Sequence, residues 1–167
     1  IDGARPSTVD KYCFDIELYD GAKPVRHNLP RYSPVQQARE RKHVIKNESL
    51  GLFRTPNKDQ VGEPFTKTLI VWKRDDEDGR WVMDFRPLNN ATVKRGIAIG
   101  DCHDKARALA RYLLKSTLDC WSGFNQVNAT ERARKHMTIA TTFGLKQWCV
   151  MPFGVCNGPS FYQEMVL

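Results

Sequence analysis

Residues 118–126 read LDCWSGFNQ, and residues 151–159 read MPFGVCNGP. The first stretch follows a short β-prone run, which places Asp119 at the tip of a strand predicted over residues 116–120. A carboxylate at a strand tip can hold a metal ion, whereas an isolated Asp there more often caps a neighbouring turn. Phe124 follows five residues later, in position to wall a pocket. The Gly and Pro residues of the second stretch predict a tight loop.

The composition predicts one sizeable folded domain or two small ones. The chain has 167 residues, of which 41% are hydrophobic, so a packed core is expected and wholesale disorder is not. Lys and Arg number 26 against 19 acidic residues, giving a net charge of +7 and a pI near 9.3. This balance favours a polyanionic partner such as nucleic acid. The alternative is a solvated surface that is basic without consequence.

The cysteines predict neither a disulfide framework nor a zinc site. They are five in number and show no C-x-x-C spacing, which fits a reduced intracellular setting. The adjacent Cys102 and His103 lack a second ligand pair and are interpreted as structural. No apolar run approaches membrane-spanning length, so no membrane partner is expected. Because the chain begins with Ile1 rather than Met, we expect it to be a piece of a longer protein.

The first hundred residues predict one helix and one hairpin. A strand over 12–19 lies in a lead-in segment, residues 1–32. Ser33 caps the helix with a capping box completed by Gln36, and Gly51 ends it.

The hairpin consists of strands over 65–72 and 80–85, joined by an acidic turn that ends at Gly79. In the returning strand, Val82 is expected on the packed face and Arg80 on the other.

The remainder predicts two helices, a strand and a second hairpin. These are a helix over 101–114 with an apolar stripe, a strand over 116–120, a hairpin of 137–143 with 146–150 around Gly144, and a helix from Ser160 onward. Strands that follow one another in hairpins, between helices, indicate an α+β fold with antiparallel sheet rather than βαβ units.

Three stretches in this order resemble the reverse transcriptase of gypsy-type LTR retrotransposons, a part of the pol polyprotein. They are the hairpin with its continuation MDFRPLNNAT (83–92), the LDCWSGFNQ stretch and the MPFG loop. The resemblance covers residues 12–167. It implies a fingers-like subdomain over 33–100 and a partial palm subdomain over 101–167, with packed helices on an antiparallel sheet.

The resemblance assigns roles around Asp119. The matching Asp of the family is catalytic and binds two Mg²⁺ ions, or Mn²⁺ as an alternative, and the carbonyl of Cys120 helps to hold one. Ser122 and Gly123 match residues whose backbone N–H groups meet the triphosphate of the incoming nucleotide. Phe124 matches a steric gate that excludes the ribose 2′-hydroxyl; the alternative is an ordinary core Phe.

Cations of the hairpin match further family residues. Lys73 and Arg80 match the side chains that close on the triphosphate, and Arg86 matches a residue near the template strand. Alternatively, Lys73 and Arg80 pair with acidic residues of the hairpin turn, and Arg86 forms an ion pair with Asp84 or another acid.

The loop residues Phe153 and Gly154 match the segment under the templating base and incoming nucleotide. Phe in this position is typical of gypsy-type elements. Two features depart from the family pattern: residues 94–101 read KRGIAIGD where prolines are usual, and His136 replaces a preferred Lys.

The implied partners are an RNA or DNA template with its primer, deoxynucleoside triphosphates and the remainder of the pol polyprotein, in a cytoplasmic particle or the nucleus. The second catalytic motif of the family, Tyr-x-Asp-Asp, is absent from the 167 residues. We therefore expect the isolated chain to lack polymerase activity. Two alternatives are a retroelement relic that binds nucleic acid without catalysis, and a structural or interaction protein whose basic surface is incidental.

Overall fold

The computed structural model describes residues 5–7, 12–22, 29–61, 66–72, 79–96 and 101–166, and these form a mixed α and β fold. The helices and strands in chain order are α1 (Pro34–Ser49), β1 (Phe53–Arg54), β2 (Lys67–Val71), β3 (Arg80–Asp84), α2 (Arg86–Ala91), α3 (Cys102–Ala110), α4 (Glu131–His136), β4 (Thr138–Thr141), β5 (Gly144–Trp148) and α5 (Gly158–Val166). Short 3-10 helices cover Lys58–Gln60 and Gly123–Gln126. None of the described helices combines the length and apolar character needed to cross a bilayer.

Both sheets are antiparallel. One has the strand order β1-β5-β4, and the other pairs β2 with β3. The predicted hairpins and the antiparallel α+β pattern are confirmed at this level. Because β1 pairs with β5, the three-stranded sheet combines strands from the first and the second half of the chain.

Helix α1 begins and ends as its sequence predicts. Ser33 caps it, and the reciprocal hydrogen bond from Gln36 completes the capping box. Gly51 follows the helix with a φ of +75°, a left-handed conformation that glycine adopts without a Cβ clash.

The core lies between the three-stranded sheet, α4, α2 and the segment before α1. Its fully buried members include Phe14, Met137, Ile139, Val150 and Met151. A parallel bridge from Thr66 to Ile139 brings the two sheets together.

Two predictions about strands were wrong. Residues 12–19 form no strand, because Phe14 bridges to Ala129 while Leu18 bridges to Thr92, so the segment crosses from one partner to another. In β3 the packed face is that of Trp81, whereas Val82 is 40% exposed. Alternation fixes which residues share a face, but the tertiary contacts decide which face is buried.

The prediction for residues 101–120 was wrong in two respects. Helix α3 ends at Ala110 rather than Leu114, and no strand forms over 116–120. Every residue from Asp101 to Trp121 is exposed. Helices and strands of this length gain most of their stability by packing an apolar face against another element. None of the described elements covers the apolar face of residues 101–120.

Candidate nucleotide site

Asp119 is exposed at the end of an irregular segment, directly before a tight turn. Ser122 occupies the left-handed region with φ 47° and ψ 46°, unlike every other described residue except glycines. A non-glycine residue in this region is strained by its Cβ, and such strain is concentrated at turns and functional sites. The turn therefore reverses the chain immediately after the carboxylate.

Hydrogen bonds within the turn involve two predicted site atoms. The N–H of Gly123 donates to the carbonyl of Cys120 at 3.2 Å, and the side chain of Gln126 donates to the carbonyl of Trp121 at 2.8 Å. The N–H predicted to donate to a phosphate and the carbonyl predicted to bind a metal ion are thus hydrogen-bonded to each other. The carbonyl retains a second lone pair, but the Gly123 N–H would have to leave this bond to meet a phosphate.

The two motif stretches meet through aromatic rings. The rings of Phe124 and Phe153 are stacked, with centroids 5.2 Å apart and an interplanar angle of 17°. The ring of Tyr162 lies 5.1 Å from Phe124 on a tilted plane. Phe124 is half-buried and packs against the core, so both alternatives raised for it, gate and core residue, fit its position.

Tyr162 contacts the candidate site, and the sequence interpretation did not select it. It lies against Gly123, and a hydrogen bond with Cys120 is the main cause of the raised pKa of its hydroxyl; burial and the charge of Asp119 raise the pKa further. The signal in the sequence was weak, since Tyr162 follows Phe161 in a helix whose packed face could not be assigned.

Asn89 of α2 holds the loop that carries Phe153. Its side chain donates to the carbonyl of Gly154 at 2.8 Å and accepts from the N–H of Cys156 at 2.9 Å. Asn157 makes a similar connection, donating to the carbonyl of Val93 at 2.8 Å. These two amides fix the loop to the segment that follows β3.

Gly154 has a φ of +93°, which favours glycine, and a Cβ there would lie 3.7 Å from Phe85. The loop under the predicted base pair therefore requires glycine for its conformation, while the space around Gly154 would tolerate a Cβ.

The three cations predicted to contact phosphates, Arg86, Arg80 and Lys73, differ in their surroundings. Arg86 forms a bidentate ion pair with Asp84, with Nε–Oδ1 and Nη2–Oδ2 distances of 2.8 and 2.7 Å, and this hydrogen bonding raises its pKa. The structural alternative for Arg86 is therefore realised, although its side chain stays 83% exposed. Arg80 is exposed at the start of β3, opposite Val71. Lys73 lies outside the described residues.

The described residues do not by themselves fit a two-ion metal centre. Divalent cations of this type need several oxygen ligands, and Asp119 belongs to no group of three potential ligands in the described ranges. The group that does exist there, Asp101, Cys102 and His103, is fully exposed, and the Asp101 carboxylate already caps the N–H of His103 at 2.8 Å.

Known proteins show similarity over most of the chain. The enzymatic polyprotein of figwort mosaic virus is 29% identical over 149 residues, which are 89% of this chain and 22% of that protein. The Pol polyprotein of transposon 297 from Drosophila melanogaster is 29% identical over 149 residues, 83% of this chain and 14% of that protein. The Pol polyprotein of transposon opus, from the same species, is 31% identical over 121 residues, which are 70% of this chain and 12% of that protein. No protein-family model matches the chain.

The chain spans less than a quarter of each of these relatives. It is therefore related to one region of the Pol polyproteins of plant viruses and retrotransposons.

Proposed function

We propose that this chain forms the fingers and the first half of the palm of a reverse transcriptase of gypsy type, acting within a Pol polyprotein. The observation that carries the proposal is the stacking of Phe124 on Phe153, because it joins two motif stretches separated in sequence into one surface beside the exposed Asp119. The similarity to Pol polyproteins over 83–89% of the chain supports the same interpretation.

The proposed roles follow from position. Asp119 would contribute one carboxylate to a two-Mg²⁺ centre, and ions held there would supply positive charge against the charge on the transferred phosphates. Phe124, whose ring contacts those of Phe153 and Tyr162, is proposed as the side chain with which a ribose 2′-hydroxyl would clash.

Cations of the fingers are proposed to contact phosphates. We propose that the exposed Arg80 contacts the triphosphate together with Lys73, and that Arg86 exchanges its ion pair with Asp84 for a template phosphate. Solvent screens this ion pair on the side of Arg86, which is 83% exposed, whereas the Asp84 carboxylate is only 13% exposed and would lose this partner in the exchange. The net charge of +7 also favours binding of the negatively charged template.

The second candidate is a retroelement relic that binds nucleic acid without catalysis. It is favoured because, within the described ranges, Asp119 belongs to no group of three potential metal ligands. The two candidates share the fold and the basic surface, and they differ in whether the polyprotein completes the metal centre.

The gate assignment offers a direct test in the full polyprotein. We expect Phe124→Val to raise incorporation of ribonucleotides relative to deoxyribonucleotides by at least about tenfold, since a smaller side chain admits the extra hydroxyl. Phe143→Val, in the exposed β4–β5 turn, is the matched control. Unchanged discrimination in Phe124→Val would make Phe124 a core residue and remove the main support for the nucleotide site.

A further inference from the structure

Three kinds of metal ligand lie together at the start of α3, on Asp101, Cys102 and His103. Their ligand atoms, a carboxylate oxygen, a thiol sulfur and an imidazole nitrogen, all lie within 4.8 Å of one another. Two atoms bound to one tetrahedral Zn²⁺ ion at about 2.0–2.3 Å stand roughly 3.3–3.8 Å apart. Small rotations of the side chains would therefore bring the three atoms around a single ion.

The exposure of this group distinguishes it from a structural cluster. All three residues are exposed, and Cys102 is a free thiol. This exposure does not fit the structural role that the sequence suggested for Cys102 and His103. The lack of a second ligand pair in the sequence argues against a closed site with four protein ligands. A site with three protein ligands needs no such pair, because its fourth position is open to water.

The donor set favours a borderline-soft ion over a hard one. Thiolate and imidazole ligands suit Zn²⁺, whereas Mg²⁺ requires oxygen ligands in octahedral geometry. The group that does not fit a two-Mg²⁺ centre therefore has the ligand types of a Zn²⁺ site.

The helix end holds the carboxylate in place. Oδ1 of Asp101 accepts from the backbone N–H of His103 at 2.8 Å, and a carboxylate has a second oxygen that can bind an ion. With Cys102 bound as the thiolate, two anionic ligands balance the charge of a divalent ion. Both lie at the helix terminus whose dipole favours negative charge.

We propose that Asp101, Cys102 and His103 bind one Zn²⁺ ion, with water at the fourth position. The bound ion would link the first turn of α3 to its N-terminal cap and stabilise the start of the helix. None of the three residues belongs to the candidate nucleotide site, so the inference goes beyond the proposed function and does not depend on it.

The test titrates the 167-residue chain, kept reduced, with Zn²⁺ in competition with a chromophoric chelator, and separately with Co²⁺ as a spectroscopic substitute. A tetrahedral Co²⁺ site with a thiolate ligand gives a charge-transfer band in the near ultraviolet and intense bands in the visible region. We expect one equivalent of Co²⁺ to produce these bands and Zn²⁺ to abolish them. An excess of Mg²⁺ should leave them unchanged.

Cys102→Ser and His103→Gln each remove one ligand. The matched controls are Cys120→Ser and Asp104→Asn, since both residues are exposed and lie outside the group of three ligands. We expect each ligand variant to raise the Kd for Zn²⁺ at least about tenfold, because loss of an outer-shell partner alone costs about 10- to 100-fold. Only Cys102→Ser should also remove the charge-transfer band, and both controls should bind as the wild-type chain does.

A second readout locates the ion on the chain. Bound Zn²⁺ should protect Cys102 from alkylation while Cys120 reacts as before, which mass spectrometry of the digested chain measures. Circular dichroism checks that the variants fold alike. Equal Zn²⁺ affinity of Cys102→Ser and Cys120→Ser would overturn the proposal, as would a wild-type chain that binds no Zn²⁺ or whose Co²⁺ complex lacks the thiolate band.

Discussion

Tyr162 of α5 lies directly against Gly123, so that a Cβ built on the glycine would be 2.7 Å from the tyrosine Cζ and closer still to its hydroxyl oxygen. The contact joins the turn after Asp119 to a helix nearly forty residues further along the chain. It also places Tyr162 beside Phe124, and it makes glycine a packing requirement at position 123.

This contact predicts that Gly123→Ala destabilises the fold. An added methyl group cannot be placed without shifting the Tyr162 ring, and overpacking of this kind costs about 1–3 kcal/mol. Urea denaturation followed by circular dichroism measures the effect. Gly96→Ala is the control, because a Cβ there meets no described atom within 4 Å. Equal stability of the two variants would contradict the contact.

Asn89 provides a second prediction. Asn89→Ala removes an acceptor from the Cys156 N–H and a donor from the Gly154 carbonyl. We expect a loss of about 1–3 kcal/mol and faster amide hydrogen exchange at Cys156. Asn90→Ala, at the next and exposed position of α2, should leave that exchange rate unchanged. If both variants protect Cys156 as the wild-type chain does, the loop is held by other contacts.

Glu40 connects α1 to both sheets. Its carboxylate is fully buried, accepts from the N–H and hydroxyl of Thr142, and accepts from the hydroxyl of Thr68 at 3.3 Å. We expect Glu40→Ala to destabilise the fold by about 3 kcal/mol or more, since it leaves buried donors without a partner. Thermal unfolding measures this, with the exposed Val35→Ala in the same helix as control. A change within the error of that control would show that water replaces the carboxylate.

Acid should weaken the contacts around α4. Hydrogen bonding from Arg54 is the main cause that lowers the pKa of Glu131 below its ordinary 4.5. Burial alone would raise the pKa of Asp15, but hydrogen bonds from Arg132 and Thr130 outweigh it and lower that pKa below 3.8. A carboxylate whose pKa is lower in the folded state than in the unfolded state stabilises the fold at pH values above its unfolded-state pKa. This stabilisation is lost as the pH falls through the folded-state pKa.

The contribution of these two carboxylates to the free energy of unfolding should therefore be constant above about pH 5 and fall progressively below about pH 4.5. Glu131→Gln should be less stable than the wild-type chain at pH 7, and the difference should shrink toward pH 3. Glu164→Gln, at an exposed position of α5, should show the wild-type pH dependence. A difference between Glu131→Gln and the wild-type chain that stays constant down to pH 3 would contradict the assignment.

The predictions that succeeded rested on local signals. The capping box of Ser33 and Gln36 specifies the start of α1 through bonds within four residues, and the strand patterns around Gly144 specify a hairpin in the same way. Such signals are present in the sequence because the partners are close along the chain.

The predictions that failed depended on distant partners. The apolar stripe of residues 101–114 and the β-prone run of 116–120 predict regular structure only if something packs on them, and the described residues leave them exposed. Tyr162 and Asn89 were missed as site residues because their contacts join elements far apart in sequence. By contrast, Asp119, Phe124 and Phe153 lie in short motifs, so they could be selected from the sequence alone.

The most direct test of the central claim is primer extension by the Pol polyprotein that contains this chain. With Mg²⁺, a primed template and deoxynucleoside triphosphates, we expect the wild-type polyprotein to extend the primer. Asp119→Asn should lower the rate by at least about two orders of magnitude, because a metal-binding carboxylate is lost. Asp104→Asn, which alters an exposed carboxylate on the neighbouring α3, should retain activity. Extension by Asp119→Asn at the wild-type rate, or no extension by the wild-type polyprotein, would contradict the account.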